Sequence, residues 1–129
     1  MQNMSGGKSA LGLDVNVASL LAYLPICLVG LIISIIIIVT DKTNKSARFH
    51  AFQSLLVHAT FIVFYVVVMI VGIMSAAANS TMLALLTTLL YVVWLIGLLG
   101  ICIFLMVKAY GGSMFKLPVI GDMADKWSN

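Results

Sequence analysis

Apolar residues fill three long stretches of this chain, 17–39, 51–74 and 82–107, and polar residues gather in the short segments between and beyond them. Each stretch exceeds the roughly 20 apolar residues that a helix needs to cross a bilayer. The pattern predicts an all-α fold, an integral membrane bundle of three transmembrane helices forming one domain over 17–107. A short tail precedes it over 1–16, and an interfacial tail follows over 108–129. The first stretch is longer than the roughly 7–15 apolar residues of a signal peptide and no small-residue cleavage site follows it, so it is expected to be retained. Pro25 interrupts it, and a kink is expected there. The third stretch would rise about 39 Å as a helix, beyond the roughly 30 Å hydrocarbon core, so it tilts or emerges.

The second stretch differs from the others. It leaves a basic loop and opens Arg48-Phe49-His50-Ala51-Phe52-Gln53-Ser54-Leu55-Leu56-Val57-His58. On a helix, His50, Ser54 and His58 stand one turn apart on one face, with Gln53 flanking them. Such a stripe has two uses. As a helix contact, Gln53 and Ser54 bond across to Ser34, Thr87 or Thr88 of neighbouring helices. As a ligand site, His50 or His58 serves as axial ligand to a chlorophyll-type tetrapyrrole, or bonds a quinone or a lipid headgroup. The two histidines lie about 12 Å apart along a helix and cannot sandwich one haem. Small residues mark the expected helix-packing positions: Gly30 and Ser34 in the first stretch, Gly97 and Gly100 beyond Trp94 in the third.

Composition strengthens the membrane reading. Of 129 residues, 63% are hydrophobic and 9% charged, against roughly 45–50% and 25% in soluble domains. The acidic residues Asp14, Asp41, Asp122 and Asp125 all fall outside the apolar stretches, and no lysine or arginine lies deep within one. That disfavours proton-coupled transport and ion pumping, which need ionisable groups at depth. No phosphate-cradling loop, zinc-protease motif or nucleophile elbow is present, so neither an enzyme nor a metal site is expected. Cys27 and Cys102 sit within apolar runs and read as small buried hydrophobes. In a three-span layout Lys42, Lys45, Arg48, Lys108, Lys116 and Lys126 share one side and Lys8 stands alone on the other. Basic residues accumulate on the cytoplasmic side, so the N-terminus is expected outside and the C-terminus inside, in a bacterial cytoplasmic membrane. The net charge of +3 suits anionic lipid and calls for no nucleic acid.

The run Ala18-Ser19-Leu20-Leu21-Ala22-Tyr23-Leu24, then Asp41-Lys42-Thr43-Asn44-Lys45 leading to Arg48-Phe49-His50-Ala51-Phe52-Gln53-Ser54, and finally Lys116-Leu117-Pro118-Val119-Ile120-Gly121-Asp122-Met123-Ala124, resembles the Tic-twenty-like family. That family joins small bacterial membrane proteins to the chloroplast inner-envelope import subunit. The resemblance implies an all-helical membrane protein that scaffolds a larger membrane assembly or forms part of a protein-translocation pore. Two functions are therefore expected, an accessory subunit first and a pore component second. A pigment-, quinone- or lipid-binding subunit of an energy-converting complex is the third.

Overall fold

The computed structural model describes residues 7–25 and 28–129. Five helices follow in order: α1 Val15–Ala22, α2 Val29–Thr40, α3 Lys45–Ala78, α4 Thr81–Tyr110 and α5 Ile120–Ser128. The two long helices begin at side-chain caps. Asn44 accepts from the Ala47 N–H at 3.2 Å and Ser80 from the Leu83 N–H at 3.3 Å, each relieving a donor that the first helical turn leaves free. Asn79 turns the chain between them in the left-handed conformation, φ 50, which asparagine tolerates better than most residues. At 34 and 30 residues, α3 and α4 rise about 51 and 45 Å, enough to cross a bilayer and project from it. They contain the second and third predicted spans.

The first predicted span is not one helix. Its residues form the short α1 and α2, which reverse direction around Pro25 (residues 26 and 27, including Cys27, lie outside the described residues). Proline removes an N–H and pushes the residue before it out of helical geometry, and here the helix stops instead of bending. Leu28 takes the left-handed conformation, φ 64, and the Gly30 N–H bonds back to the Leu24 carbonyl at 3.2 Å. A Cβ on Gly30 would lie 2.4 Å from that carbonyl oxygen and 2.7 Å from the Ala22 carbonyl oxygen. Only glycine permits this approach. The 12 residues of α2 rise about 18 Å, short of the hydrocarbon core. The pair is a helical hairpin that packs beside α3.

This changes the topology. The Ala10 N–H bonds to Asp41 Oδ2 at 3.0 Å, the other oxygen, Oδ1, accepts from Asn44 N–H at 3.0 Å, and Arg48 Nε reaches the Ser128 carbonyl at 3.4 Å. The segment before α1, the α2–α3 loop and the end of α5 therefore meet at one end of the molecule. The two described ends of the chain thus lie at the same end of the molecule. Lys8 joins the other six basic residues there, and the opposite turn, Ser75 to Ser80, carries no charge.

Packing is concentrated at the same end. Val15, Ala18, Ala22, Ile37, Ala47 and Ala51 close the hairpin onto α3. Tyr23, Val57, Leu105 and Ala109 form a second cluster, covered by Phe115, Leu117 and Ile120 of the C-terminal segment. The C-terminal tail is part of this packing. It folds back, and α5 packs on α3 with Ala124 and Met114 against Phe49.

Candidate functional site

α3 faces the re-entrant hairpin with its polar stripe. His50, Gln53, Ser54 and His58 are all buried, because the i, i+4, i+8 spacing aims them at the turn after α1 and at the returning C-terminal segment. Their hydrogen bonds run to both neighbouring segments. Leu117 N–H donates to Gln53 Oε1 at 3.2 Å, and Gln53 Nε2 donates to the Phe115 carbonyl at 2.9 Å, so the two backbone groups set the orientation of the amide. Gln53 Nε2 also donates to Tyr23 Oη at 3.0 Å. The Tyr23 hydroxyl is then left to donate to His50 Nδ1, 3.0 Å away, which puts the ring hydrogen of neutral His50 on Nε2. The His50 ring stands edge-on to Tyr23 and to Phe49.

One turn deeper the pattern inverts. Ser54 Oγ donates to the Ala22 carbonyl at the end of α1. With its hydrogen so placed, Ser54 offers His58 only acceptors, its carbonyl at 2.8 Å and its Oγ at 3.1 Å from Nδ1, so Nδ1 carries a hydrogen toward Ser54. Neither His50 Nε2 nor His58 Nε2 has a partner, although both are buried. The two histidines are thus held differently, His50 Nδ1 accepting from Tyr23 and His58 Nδ1 donating to Ser54.

His58 also lines a cavity of about 210 Å³ with Pro25, Leu28, Phe61, Ile62, Trp94 and Leu98. Trp94 ties α4 to α3 beside it, Nε1 donating to the Phe61 carbonyl at 2.8 Å. The base of the molecule is closed by charge. Arg48 Nη1 donates to the carbonyls of Ile38 and Asp41 at 3.1 and 2.9 Å, filling the free acceptors at the end of α2. Lys116 Nζ bonds Asp125 Oδ2 at 2.7 Å, and Lys45 Nζ lies 3.3 Å from Oδ1. The Lys116 bond holds the Asp125 carboxyl below its ordinary value and, reciprocally, raises that of Lys116.

The expected helix-contact partners are only partly found. Ser34 shares the Ala22 carbonyl with Ser54, at 3.2 Å, and also reaches the Gly30 carbonyl at 2.7 Å. Thr87 and Thr88 instead bond carbonyls of their own helix, Leu83 and Ala84, because they sit on the far half of α4, away from the stripe. Gly30 is at a close approach and Gly97 faces the Phe61 ring at ordinary distance. A methyl group at Gly100 would meet nothing within 4 Å, so that glycine packs against no other helix of the described residues. Sequence reasoning assigned no part in the site to Tyr23, to the Arg48 clasp or to the backbone of Phe115 and Leu117. Tyr23 was findable: a phenol inside an apolar run requires a buried partner.

No solved structure matches the chain. A UPF0132 membrane protein of Methanocaldococcus jannaschii is 32% identical over 122 residues, covering 95% of this chain and 96% of that protein. The model of the magnetosome magnetite crystal formation protein family matches residues 13–124, and no Tic-twenty-like family matches, which overturns the resemblance drawn from the motifs. The matched span runs from just before α1 into α5 and takes in the hairpin, the stripe and both long helices: the chain belongs to the magnetosome magnetite crystal formation family.

Proposed function

We propose that this chain is a non-catalytic accessory subunit of a larger membrane assembly, holding a transmembrane helix pair out from a rigid cytoplasmic base. One observation carries the reading. The first half of α3 is sealed by α1, α2 and α5, whereas beyond His58 only Val68 and Ser75 of that helix are buried. Long apolar side chains such as Val63, Val67, Ile73, Leu89, Val93 and Ile96 stand exposed along the far halves of both helices. Lipid and neighbouring transmembrane helices are the two surfaces such a pair can meet. Gathering all seven basic residues on the capped end favours a cytoplasmic base.

The family description names magnetite crystal formation, and the M. jannaschii relative is described only as a membrane protein. An organising role in the membrane suits both. Two of the carboxylates that a cation could use are already engaged, Asp41 by backbone N–H groups and Asp125 by two lysines. The polar stripe faces inward and bonds within the chain, so it lends little to a pore lining. The test is purification from the native membrane in mild detergent, with cross-linkers placed at Val67 and Val93. Reproducible cross-links to specific membrane proteins are expected. A chain that runs alone as a monomer, cross-linked to nothing, would sink the reading.

A further inference from the structure

We infer that the α1–α2 hairpin is a one-leaflet wedge: the outer face of α2 lies among acyl chains on the basic side of the bilayer, stops at its middle, and makes the chain favour membrane that is convex on that side. α2 is built inside out. Its buried positions are Gly30, Ser34 and Ile37. Leu28 and Val29 at its start, and Ile32, Ile35, Ile36 and Val39 along it, are between 37% and 61% exposed. At 3.6 residues per turn these six fill one arc of about 120°. A helix at a water surface turns its apolar stripe to the core, and here no charged residue lies between Asp14 and Asp41 to face water instead. Helix contacts within membranes favour small and polar side chains, and protein interfaces are anchored on Trp, Tyr and Arg. The exposed arc has none of these, and α2 has already turned its glycine and serine toward the end of α1. Acyl chains are the cover that branched aliphatic side chains alone can take.

The level of the tip follows from both long helices. Leu28 lines the same cavity as Phe61 of α3 and Trp94 of α4. Phe61 stands 13 positions beyond Arg48 and 14 before Ser75, and Trp94 stands 14 positions from both Ser80 and Lys108. The stretch from Arg48 to Ser75 rises about 40 Å, the thickness of a bilayer with its headgroups, so the tip is at the middle. At the other end of α2, Arg48 binds the carbonyls of Ile38 and Asp41, at the headgroup level where charge is tolerated. Among the described residues, the four helices α1 to α4 therefore share the leaflet on the basic side, and α3 and α4 alone share the other. With helices about 10–12 Å across, the body narrows by roughly half from one leaflet to the next. Such a body strains a flat bilayer, and the strain is relieved where the crowded leaflet is expanded, on the convex side of a curved membrane.

This reading needs α3 and α4 to span the membrane and needs no partner complex, so it is tested on the purified full-length chain. Trp94→Phe and Trp127→Phe remove both native tryptophans, and Ile32→Trp or Val39→Trp, each at an exposed position, supplies one reporter. In vesicles of brominated phosphatidylcholine, Ile32→Trp should be quenched most by bromines near the chain ends and Val39→Trp by bromines near the headgroup, with unfolding midpoints confirming that both variants fold. Emission typical of an indole in water at Ile32→Trp, or one quenching depth for both positions, overturns the insertion. Reproducible cross-links from Ile36→Cys to a protein in native membranes overturn the assignment to lipid. Curvature is read on tethers pulled from giant vesicles. In a chain lacking Cys27 and Cys102, Asn129→Cys or Asn79→Cys is labelled from outside with an impermeant fluorescent maleimide, so each label marks one orientation. Molecules labelled at Asn129→Cys should be enriched in the tether about twofold or more over the parent vesicle, and those labelled at Asn79→Cys depleted by a similar factor. Equal density ratios for the two orientations overturn the wedge.

Discussion

The two halves of the α3–α4 pair are built from similar apolar residues and behave as different materials. In the half near the charged loops, α3 buries most of its residues from Ser46 to His58, and α4 buries Cys102, Leu105 and Ala109. In the other half, long apolar side chains stand exposed around both helices. Hydrophobicity does not distinguish them, since in a bilayer it drives neither half to pack. What does is a set of polar and small groups that each need a specific neighbour: Tyr23, Gln53, Ser34, Ser54 and Gly30. Where these occur, five segments converge. Where they are absent, two helices run side by side.

The largest test of this contrast is all-or-none. In a variant lacking Cys27 and Cys102, cysteines placed singly at Ala10 and Ser128 should react with a membrane-impermeant maleimide from the same side of oriented vesicles, while Asn79→Cys reacts from the other. Labelling of Ala10 and Ser128 positions from opposite sides would mean the hairpin is a full span. Next in size is Gly30→Val. Its side chain would meet backbone oxygens that cannot move aside, so a loss of about 1–3 kcal/mol or more is expected, read from detergent unfolding. Gly100→Val, at an open position, should change stability by less than about 0.5 kcal/mol. Gln53→Leu comes third. It leaves the Phe115 carbonyl and Leu117 N–H without partners and deprives Tyr23 of its donor, costing on the order of 1–3 kcal/mol. Thr88→Val, in the bare half, should be near neutral. Equal losses for Gln53→Leu and Thr88→Val would erase the distinction between the halves.

The long helices were legible because sustained apolar runs with polar punctuation admit little else, and their caps at Asn44 and Ser80 lie where the polarity changes. The stripe was legible as a stripe, from spacing alone. Its partners were not, because they come from residues 30 and 62 positions away, Tyr23 and Phe115 for Gln53, and helical period carries no information about neighbours. The first span misled for a definite reason. Hydropathy counts apolar residues and is blind to direction, so a hairpin of two short apolar helices scores like one long helix. Pro25 alone reads equally as a kink or a stop. The signal that separates them is the company it keeps: Gly30 and Ser34 supply the close approach and Tyr23 a buried phenol at the turn, features of a backbone folded on itself. Charge held a second clue. With the hairpin closed, the lone Lys8 moves to the side of the other six basic residues, and the asymmetry becomes complete.

The smallest effect concerns how α5 is held to the packed half. Asp125 is bonded by Lys116 and approached by Lys45, and the Lys116 bond, the larger influence, keeps its carboxyl charged below the pH at which a free aspartate protonates. A depressed carboxyl contributes stability that is present above the unfolded value, about 3.9, and is lost as pH falls through the lower folded value. Both groups are at the water-exposed surface, where such pairs contribute little, so the whole molecule should not unfold in that window. Hydrogen exchange should instead quicken in α5 and at residues 114–117 below about pH 4, while α3 near Gln53 stays protected. Asp125→Asn should show the faster exchange already at neutral pH and lose the acid dependence. If α5 exchanged at the same rate from pH 7 to pH 3, its place on α3 would rest on the apolar contacts of Ala124, Met114 and Phe49, on Trp127 against Phe52 and on the Arg48–Ser128 bond, with the Asp125 pairs adding nothing.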